Sequence, residues 1–120
     1  MKEDPPYIKK FKENSLEKRL NEIKIINKKY LNTKIPIIVD TFETKLNLKK
    51  HKYLVPKDLK MSHFFSFIRK KISIKPSESL FILCNNLLVD MNLNLNDIYY
   101  LRKSNDDYLY FILTLENTFG

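Results

Sequence analysis

The sequence predicts an α+β fold, in which amphipathic helices and short apolar strands pack around one hydrophobic core. The runs KIPIIVD at 34–40 and YLYFILTL at 108–115 are rich in β-branched or aromatic residues and are typical of strands. Apolar residues recur at helical spacing in two segments that begin at Asn14 and Ser62. A chain of 120 residues with 43% hydrophobic content suits a single domain. The predicted order of elements is therefore α, β, β, α, β, β, α, β.

The first amphipathic helix is predicted to begin at Asn14, after an opening segment that contains two prolines. Asn14 is the predicted N-cap, with Glu17 three residues later as its partner in the first turn. The prolines and mixed charges of 1–13 favour an N-terminal arm or a short helix. Residues 14–120 are then expected to form the domain proper, from this amphipathic helix to a C-terminal tail.

Two strands are predicted next, at 34–40 and 51–56. Pro36 cannot donate a hydrogen bond to a neighbouring strand, so the first strand is expected to be open or bulged at this residue. Side chains alternate along a strand, and this divides the second strand into two faces. Lys52 and Leu54 fall on one face, Tyr53 and Val55 on the other.

A second helix is predicted from Ser62 as N-cap, followed by an apolar strand within 79–89. Asn85–Asn86 tolerate the turn conformations usually given to glycine, so we expect the chain to turn there into another short strand. Asn96 is the predicted cap of a last short helix before the strand at 108–115. Two strands, a crossing helix and further strands ending in a central one form the β-grasp arrangement of ubiquitin, here with a mixed sheet of four to five strands and an additional N-terminal helical segment.

The charge of the chain permits several classes of partner. A net charge of +8 and a pI near 9.5 suit nucleic acid, an anionic membrane surface or acidic peptides. The chain is also rich in Lys, Asn and Ile and contains no Ala, a bias typical of an AT-rich genome. Composition alone therefore does not choose among these partners.

Several chemistries are not expected from this sequence. Cys84 has no partner for a disulfide, and its apolar surroundings predict a buried thiol in a reducing compartment such as the cytosol. His51 and His63 have no second ligand at metal-binding spacing, so no metal site is predicted. One glycine is too few for a P-loop. The chain lacks an apolar run long enough to cross a membrane and a signal-peptide core, so the free protein is expected to be soluble.

Six separated segments carry a resemblance to known proteins. They are KKYLNTKIPIIV, KKHKYLVPKDL, FFSFIRKKI, LFILCNN, DDYLYFIL and the closing ENTFG. In this order and with nearly this spacing, they resemble the autophagy-related protein 8 family of ubiquitin-like modifiers, which includes the GABA-receptor-associated proteins. The resemblance covers roughly residues 11–120.

The resemblance implies a chemical role for Gly120, the sole glycine of the chain. In the family, the terminal glycine carboxylate is activated with ATP, carried as a thioester on activating and conjugating enzymes, and joined as an amide to phosphatidylethanolamine. A cysteine protease processes precursors and cleaves the lipid conjugate. The resemblance therefore implies a monomeric cytoplasmic modifier without a cofactor or catalytic residues of its own, held on the autophagosome or a related membrane after lipidation. In some protozoan relatives that membrane belongs to a plastid.

The resemblance also implies capture of peptides with an aromatic-x-x-aliphatic motif beside the strand KYLV, by addition of a strand to the sheet edge. The aromatic pocket would use Glu22, Ile26, Pro36, Lys52, Leu54 and Tyr108. The aliphatic pocket would use Tyr53, Val55, Pro56, Leu59, Phe64 and Phe67. A basic rim that favours acidic residues beside the motif would use Lys34, Lys50 and Lys71.

Two departures from the family pattern and three alternatives remain. Tyr108 replaces the usual Phe and Asp107 stands where Gly is frequent, so an altered aromatic pocket is expected. Without the resemblance, the pattern favours core positions over a binding surface for Leu54, Phe64, Phe67 and Tyr108. A modifier of the autophagy-related protein 12 type would join protein lysine in place of lipid. A small basic domain could instead bind RNA through lysines and the exposed aromatic residues Tyr7, Tyr99 and Tyr100.

Overall fold

The computed structural model describes residues 3–115, and within them the chain forms helices and a single sheet. The helices are α1 (Pro6–Phe11), α2 (Leu16–Tyr30), α3 (Met61–Lys70) and α4 (Leu95–Arg102), with a 3₁₀ turn at Thr44–Leu46. The strands are β1 (Lys34–Thr41), β2 (Lys52–Pro56), β3 (Leu80–Cys84), β4 (Leu87–Leu88) and β5 (Leu109–Leu115). The predicted order of elements is confirmed, and the opening segment contains a short helix.

The five strands form one mixed sheet in the order β2-β1-β5-β3-β4. β1 and β5 are parallel, whereas the pairs β1–β2, β3–β5 and β3–β4 are antiparallel. The last strand of the chain is therefore central, with β2 at one edge and the two-residue β4 at the other. This confirms the predicted α+β class and the β-grasp arrangement.

Both faces of the sheet are covered by helices. On one face, Phe64 of α3 lies 5.9 Å from Phe111 of β5, measured between ring centroids, and both side chains are buried. On the other face, Ile8 of α1 and Ile23 of α2 pack with Ile38 and Tyr108 in a second buried cluster. Burial of each such side chain stabilises the fold by roughly 1.5–3 kcal/mol. α1 and α2 are thus part of the packed structure.

The predicted cap of α2 is wrong by one residue. Ser15 is the N-cap, and its Oγ accepts a hydrogen bond from the backbone N of Lys18 at 3.1 Å. Asn14 instead donates from Nδ2 to the carbonyl of Phe11 at 2.9 Å, which ends α1. Asn14 thus bonds to the end of α1, and the next residue, Ser15, caps the start of α2.

The predicted caps of α3 and α4 are also wrong. α3 begins after Lys60, which makes no side-chain cap, and Ser62 lies inside the helix. The first N–H groups of a helix have no acceptor within the helix. Here those of Met61 and Ser62 donate to the carbonyls of Leu93 and Met91, at 2.8 and 3.1 Å respectively, so no capping side chain is needed. α4 is capped by Asn94 in place of Asn96, with Oδ1 accepting from the backbone N of Asp97 at 3.0 Å.

Pro36 is accommodated without a bulge. It lies directly opposite Leu54 in a continuous register, so the bulged alternative is wrong. The N–H of Val39 donates towards β2, to the carbonyl of His51 at 2.8 Å, and backbone groups alternate in direction along a strand. The nitrogen of Pro36 therefore faces away from β2. Pairing with β5 begins only at Ile37, so the missing donor interrupts no bond of either ladder.

Asparagine and aspartate occupy left-handed positions that glycine often fills. Asn85 and Asn86 have φ angles of 53° and 65° and form the predicted turn between β3 and β4. Asp107, where the family frequently has Gly, has a φ of 66°. Substitution of Asp for Gly at this position preserves the backbone path into β5.

Candidate functional site

Strand β2 is the exposed edge of the sheet. Among residues 3–115, it pairs with β1 alone. Because the β1–β2 ladder uses the backbone groups of Tyr53 and Val55, those of Lys52 and Leu54 point to the open side. An unpaired strand edge of this kind is able to accept a further strand.

The side chains of β2 divide between the two faces as predicted. Tyr53 and Val55 are buried, whereas Leu54 is 39% exposed and Lys52 is half-buried. Pro56 ends the strand and is exposed. The edge strand therefore contributes to two separate surfaces, one towards α2 and one towards α3.

A cavity of about 440 Å³ lies on the α2 side of β2. Its lining residues are Glu22, Ile26, Lys50, Lys52, Tyr53, Leu54 and Tyr108. Five of the six residues expected for the aromatic pocket are among them. Pro36 is buried opposite Leu54 in the register and is not part of the lining. Lys50 and Tyr53 join this cavity, although the sequence assigned them to the rim and to the other pocket.

Three residues that line this cavity, Tyr108, Glu22 and Lys52, form a hydrogen-bonded triad. Tyr108 Oη and Lys52 Nζ both donate to Glu22 Oε1. Burial raises the pKa of Tyr108, and its hydrogen bond to Glu22 raises it further. Burial also acts to raise the pKa of Glu22, but the hydrogen bonds from Lys52 and Tyr108 outweigh it and hold this pKa below its ordinary value. The triad therefore holds a neutral phenol against a charged carboxylate at neutral pH.

Aromatic rings hold the triad in place. Phe11 of α1 meets Tyr108 edge to face, with ring centroids 5.1 Å apart. Lys52 Nζ lies 5.1 Å from the Phe11 ring centroid and 5.6 Å from that of Tyr108, close enough for cation–π attraction. The hydroxyl that distinguishes Tyr108 from the family's usual Phe is thus engaged with Glu22, and the ring is 1% exposed.

A second, smaller cavity of about 240 Å³ lies on the α3 side of β2. It is lined by Leu48, Lys49, Lys50, Tyr53, Ile68 and Lys71. Phe64 and Phe67 meet Tyr53 edge to face, at centroid distances of 5.9 and 6.0 Å. Phe67 is 47% exposed, which leaves an apolar surface beside the cavity. Of the six residues expected for the aliphatic pocket, Tyr53 alone is among those that line this cavity. Phe64, Phe67, Val55, Leu59 and Pro56 are not part of the lining.

The predicted basic rim divides between the two ends of β2. Lys34 lies opposite Pro56, at the far end of the strand. Lys50 and Lys71 both line the second cavity, and their Nζ atoms lie 4.8 Å and 4.7 Å from the ring centroids of Tyr53 and Phe67 respectively. Lys49 joins them there, a residue that sequence reasoning missed. Its position beside Lys50 in the run before β2 was the available signal.

Other chemistries find no support in the part of the chain that the structure describes. Residues 3–115 contain no group of three or more His, Cys, Asp or Glu side chains placed to hold a metal ion. Burial raises the pKa of the Cys84 thiol to about 11, which leaves it protonated at neutral pH. None of the described helices is long and apolar enough to cross a membrane. The predicted conjugation residue, Gly120, lies outside the described residues.

The sheet order, the crossing helix α3 and the central last strand define a ubiquitin-like protein, with the additional helices α1 and α2 beside an open edge strand. Comparison with known proteins narrows this class. Residues 18–120 match the family model described as "Autophagy protein Atg8 ubiquitin like". The chain therefore belongs to the autophagy-related protein 8 family, whose members are ubiquitin-like modifiers of autophagy.

Individual relatives agree over nearly the whole chain. Autophagy-related protein 8 of Cochliobolus heterostrophus is 39% identical over 114 residues, which cover 92% of this chain and 95% of the relative. The crystal structure of Trypanosoma brucei ATG8 superposes with a TM-score of 0.77 at 27% identity, covering 98% of this chain and 100% of that one. Plasmodium falciparum Atg8, solved in complex with a Plasmodium falciparum Atg3 peptide, superposes with a TM-score of 0.74 at 26% identity. The match covers 85% of this chain and 91% of that one.

Proposed function

We propose that this ubiquitin-like modifier is conjugated through the carboxylate of Gly120 to phosphatidylethanolamine, and that the β2 groove recruits partner proteins to the membrane that carries the conjugate. Family membership supports the conjugation. The observation that carries the recruitment is the open edge of β2 with a cavity on each side. Absence of a side chain at Gly120 suits a residue that must enter narrow enzyme clefts and present an open carbonyl to thiol and amine nucleophiles.

Lipid attachment would change the membrane affinity of the protein decisively. A phospholipid brings two acyl chains, and each buried CH₂ contributes about 0.8 kcal/mol. A single acyl chain gives only marginal binding, whereas two hold a protein stably. The free chain would be cytoplasmic and monomeric, and the conjugate would reside on the autophagosome or on another intracellular membrane such as that of a plastid.

The chain would act as the substrate of enzymes and would have no catalytic activity of its own. Its proposed enzyme partners are the activating and conjugating enzymes of the lipidation pathway and a cysteine protease that processes or removes the conjugate. The Plasmodium falciparum complex with an Atg3 peptide supports peptide binding by a related protein of the same fold. We propose that conjugation enzymes and cargo receptors use the same groove here.

The proposed ligand is a peptide with an aromatic-x-x-aliphatic motif, bound as an added strand beside β2. Its backbone would pair with the outward groups of Lys52 and Leu54, its aromatic residue would enter the larger cavity and its aliphatic residue the smaller one. Burial of one aromatic side chain contributes at most about 4–6 kcal/mol before ordering costs. Acidic residues beside the motif would meet Lys49, Lys50 and Lys71, each exposed pair contributing about 0–1 kcal/mol. We expect a Kd on the order of 1 μM.

Two substitutions of Leu54 test strand addition separately from side-chain contact. Leu54→Ala trims the side chain and keeps the outward N–H, whereas Leu54→Pro also removes that N–H, which the β1–β2 ladder does not use. We expect Leu54→Pro to weaken peptide binding about tenfold more than Leu54→Ala, as measured by calorimetry on variants whose fold is verified by circular dichroism. Equal affinities of the two folded variants would contradict a strand-addition mode.

A further inference from the structure

The end of the sheet at which β5 finishes is formed by two surface segments. Leu115, the last residue of β5, pairs with Leu80 at the start of β3, and Thr41 at the end of β1 pairs with Leu113. The chain from β1 to β2 occupies 42–51 at this end, and the chain from the end of α3 to β3 occupies 69–79. The two segments meet where Lys45 pairs with Glu78. We refer to residues 42–51 and 69–79 together as the tail-end surface.

The tail-end surface carries a large share of the positive charge of the protein. Its basic side chains are Lys45, Lys49, Lys50, Arg69, Lys70, Lys71 and Lys75. Its carboxylates are Glu43 and Glu78 alone. The surface therefore holds an excess of five positive charges, out of the eight of the whole chain. All six of its lysines are exposed, so this charge faces solvent.

The proposed attachment point lies a short distance from this surface. Five residues, 116–120, follow Leu115, and five residues span at most about 18 Å even when fully extended. A lipid joined to Gly120 would hold Leu115 within about that distance of the bilayer. Electrostatic attraction at physiological salt decays over about 8 Å, so basic groups around Leu115 could reach the region where anionic headgroups attract them. Each Lys or Arg near such a surface contributes about 1 kcal/mol.

We propose that the tail-end surface binds the anionic phospholipid headgroups of the bilayer that carries the conjugate, and so orients the domain on the membrane. The contact is made by the basic residues of this surface that line neither cavity of the groove, namely Lys45, Arg69, Lys70 and Lys75. This inference rests on the proposed attachment through Gly120. β2 begins at the tail end with Lys52 and runs away from it to Pro56, because it is antiparallel to β1. The bound orientation therefore directs the far end of the peptide groove towards the cytosol, where a partner is able to enter.

Chemical coupling tests this orientation without the conjugation enzymes. A Gly120→Cys variant of the full chain is coupled to a maleimide lipid in vesicles of phosphatidylcholine, with or without phosphatidylglycerol. Cys84 does not compete, because it is 1% exposed. Acetylation of each lysine is then followed by mass spectrometry. We expect Lys45, Lys70 and Lys75 to react several-fold more slowly on the anionic vesicles than on the neutral ones, and the exposed lysines Lys24, Lys28 and Lys57 to react equally on both.

Equal reaction rates of the tail-end lysines on the two kinds of vesicle would overturn the proposal, as would stronger protection at Lys24, Lys28 or Lys57. Failure of the enzymatic conjugation would leave this result unaffected, so a failure of the orientation is distinguishable from a failure of the conjugation.

A pair of charge-matched variants tests the same surface in the uncoupled protein. Lys70→Gln with Lys75→Gln removes two charges from the tail-end surface, and Lys24→Gln with Lys28→Gln removes two from α2. None of these four residues lines either cavity of the groove. We expect the first pair to lower partitioning into phosphatidylglycerol-containing vesicles about thirtyfold and the second pair to have little effect. An equal loss in the two variants would mean that net charge alone governs binding and would contradict a specific surface.

Discussion

At the scale of single residues, Tyr108 is the most informative position of the candidate site. The sequence places an aromatic residue there and marks the extra hydroxyl as a departure from the family. The bond from this hydroxyl to Glu22 joins residues 86 positions apart, so local patterns could not predict it. Because Glu22 Oε1 already accepts from Tyr108 and Lys52, a ligand must compete for this oxygen. We therefore expect the hydroxyl to affect which aromatic anchor the cavity prefers.

Removal of the hydroxyl should change this preference. In Tyr108→Phe, Glu22 loses one donor and gains the capacity to accept a hydrogen bond from a tryptophan indole N–H. A hydrogen bond of this kind contributes about 0.5–1.5 kcal/mol, so the ratio of affinities for tryptophan-anchored over phenylalanine-anchored peptides should rise about two- to tenfold. Calorimetric titration of both peptides into both proteins measures the ratio. An unchanged ratio would show that the hydroxyl does not affect anchor choice.

At the scale of elements, patterns within a segment predict strands and helices well and their starting residues less well. The alternation of β2 and the apolar stripe of α3 are local properties, and both hold in the structure. The start of α3 depends on carbonyls of Met91 and Leu93, about thirty residues along the chain. No local pattern indicates these bonds, so the sequence predicts a cap at Ser62 that the helix does not need. The position of Lys34, apart from Lys50 and Lys71, likewise depends on strand register.

One buried ion pair fastens α2 to the turn before β5. Asp106 is fully buried and accepts a hydrogen bond from Arg19 Nη1 at 2.7 Å. It also accepts from the backbone N of Tyr108 at 3.0 Å and from the hydroxyl of Tyr110. The Arg19 side chain is 12% exposed. This connection holds α2 against the segment directly before β5, which carries Tyr108, and so maintains the larger cavity.

Loss of this ion pair should destabilise the protein strongly. Asp106→Asn leaves the guanidinium of Arg19 without its charged partner, and removal of one member of a buried pair typically costs about 3–5 kcal/mol. Asp107→Asn is the matched control, because Asp107 pairs with Lys103 at an exposed site and Asn tolerates its left-handed backbone. There the expected cost is below about 1 kcal/mol. Urea denaturation measures both free energies of unfolding, and equal losses would contradict the structural role of Asp106.

At the scale of the whole molecule, residues 3–115 form a β-grasp sheet with helices on both faces, an open edge at β2 and a basic end. The composition already shows the excess of lysine, but not its location, because segments 42–51 and 69–79 are brought together only by the fold. The conjugation chemistry is inferred from the family resemblance alone, because Gly120 lies outside the described residues. We propose that the groove and the basic end both serve a protein that acts while attached to a membrane.

Lipid conjugation is the central claim, and one measurement tests it most directly. We would incubate the intact chain and its Gly120→Ala variant in extract of the source cell with ATP and phosphatidylethanolamine liposomes. The masses of the protein products are then measured by mass spectrometry. We predict a phosphatidylethanolamine adduct on the intact chain alone, because only its terminal glycine suits the activating and conjugating enzymes. Absence of the adduct in an extract that lipidates a control family member would contradict the claim. A glycine-dependent adduct on protein lysine in its place would identify a modifier of the autophagy-related protein 12 type.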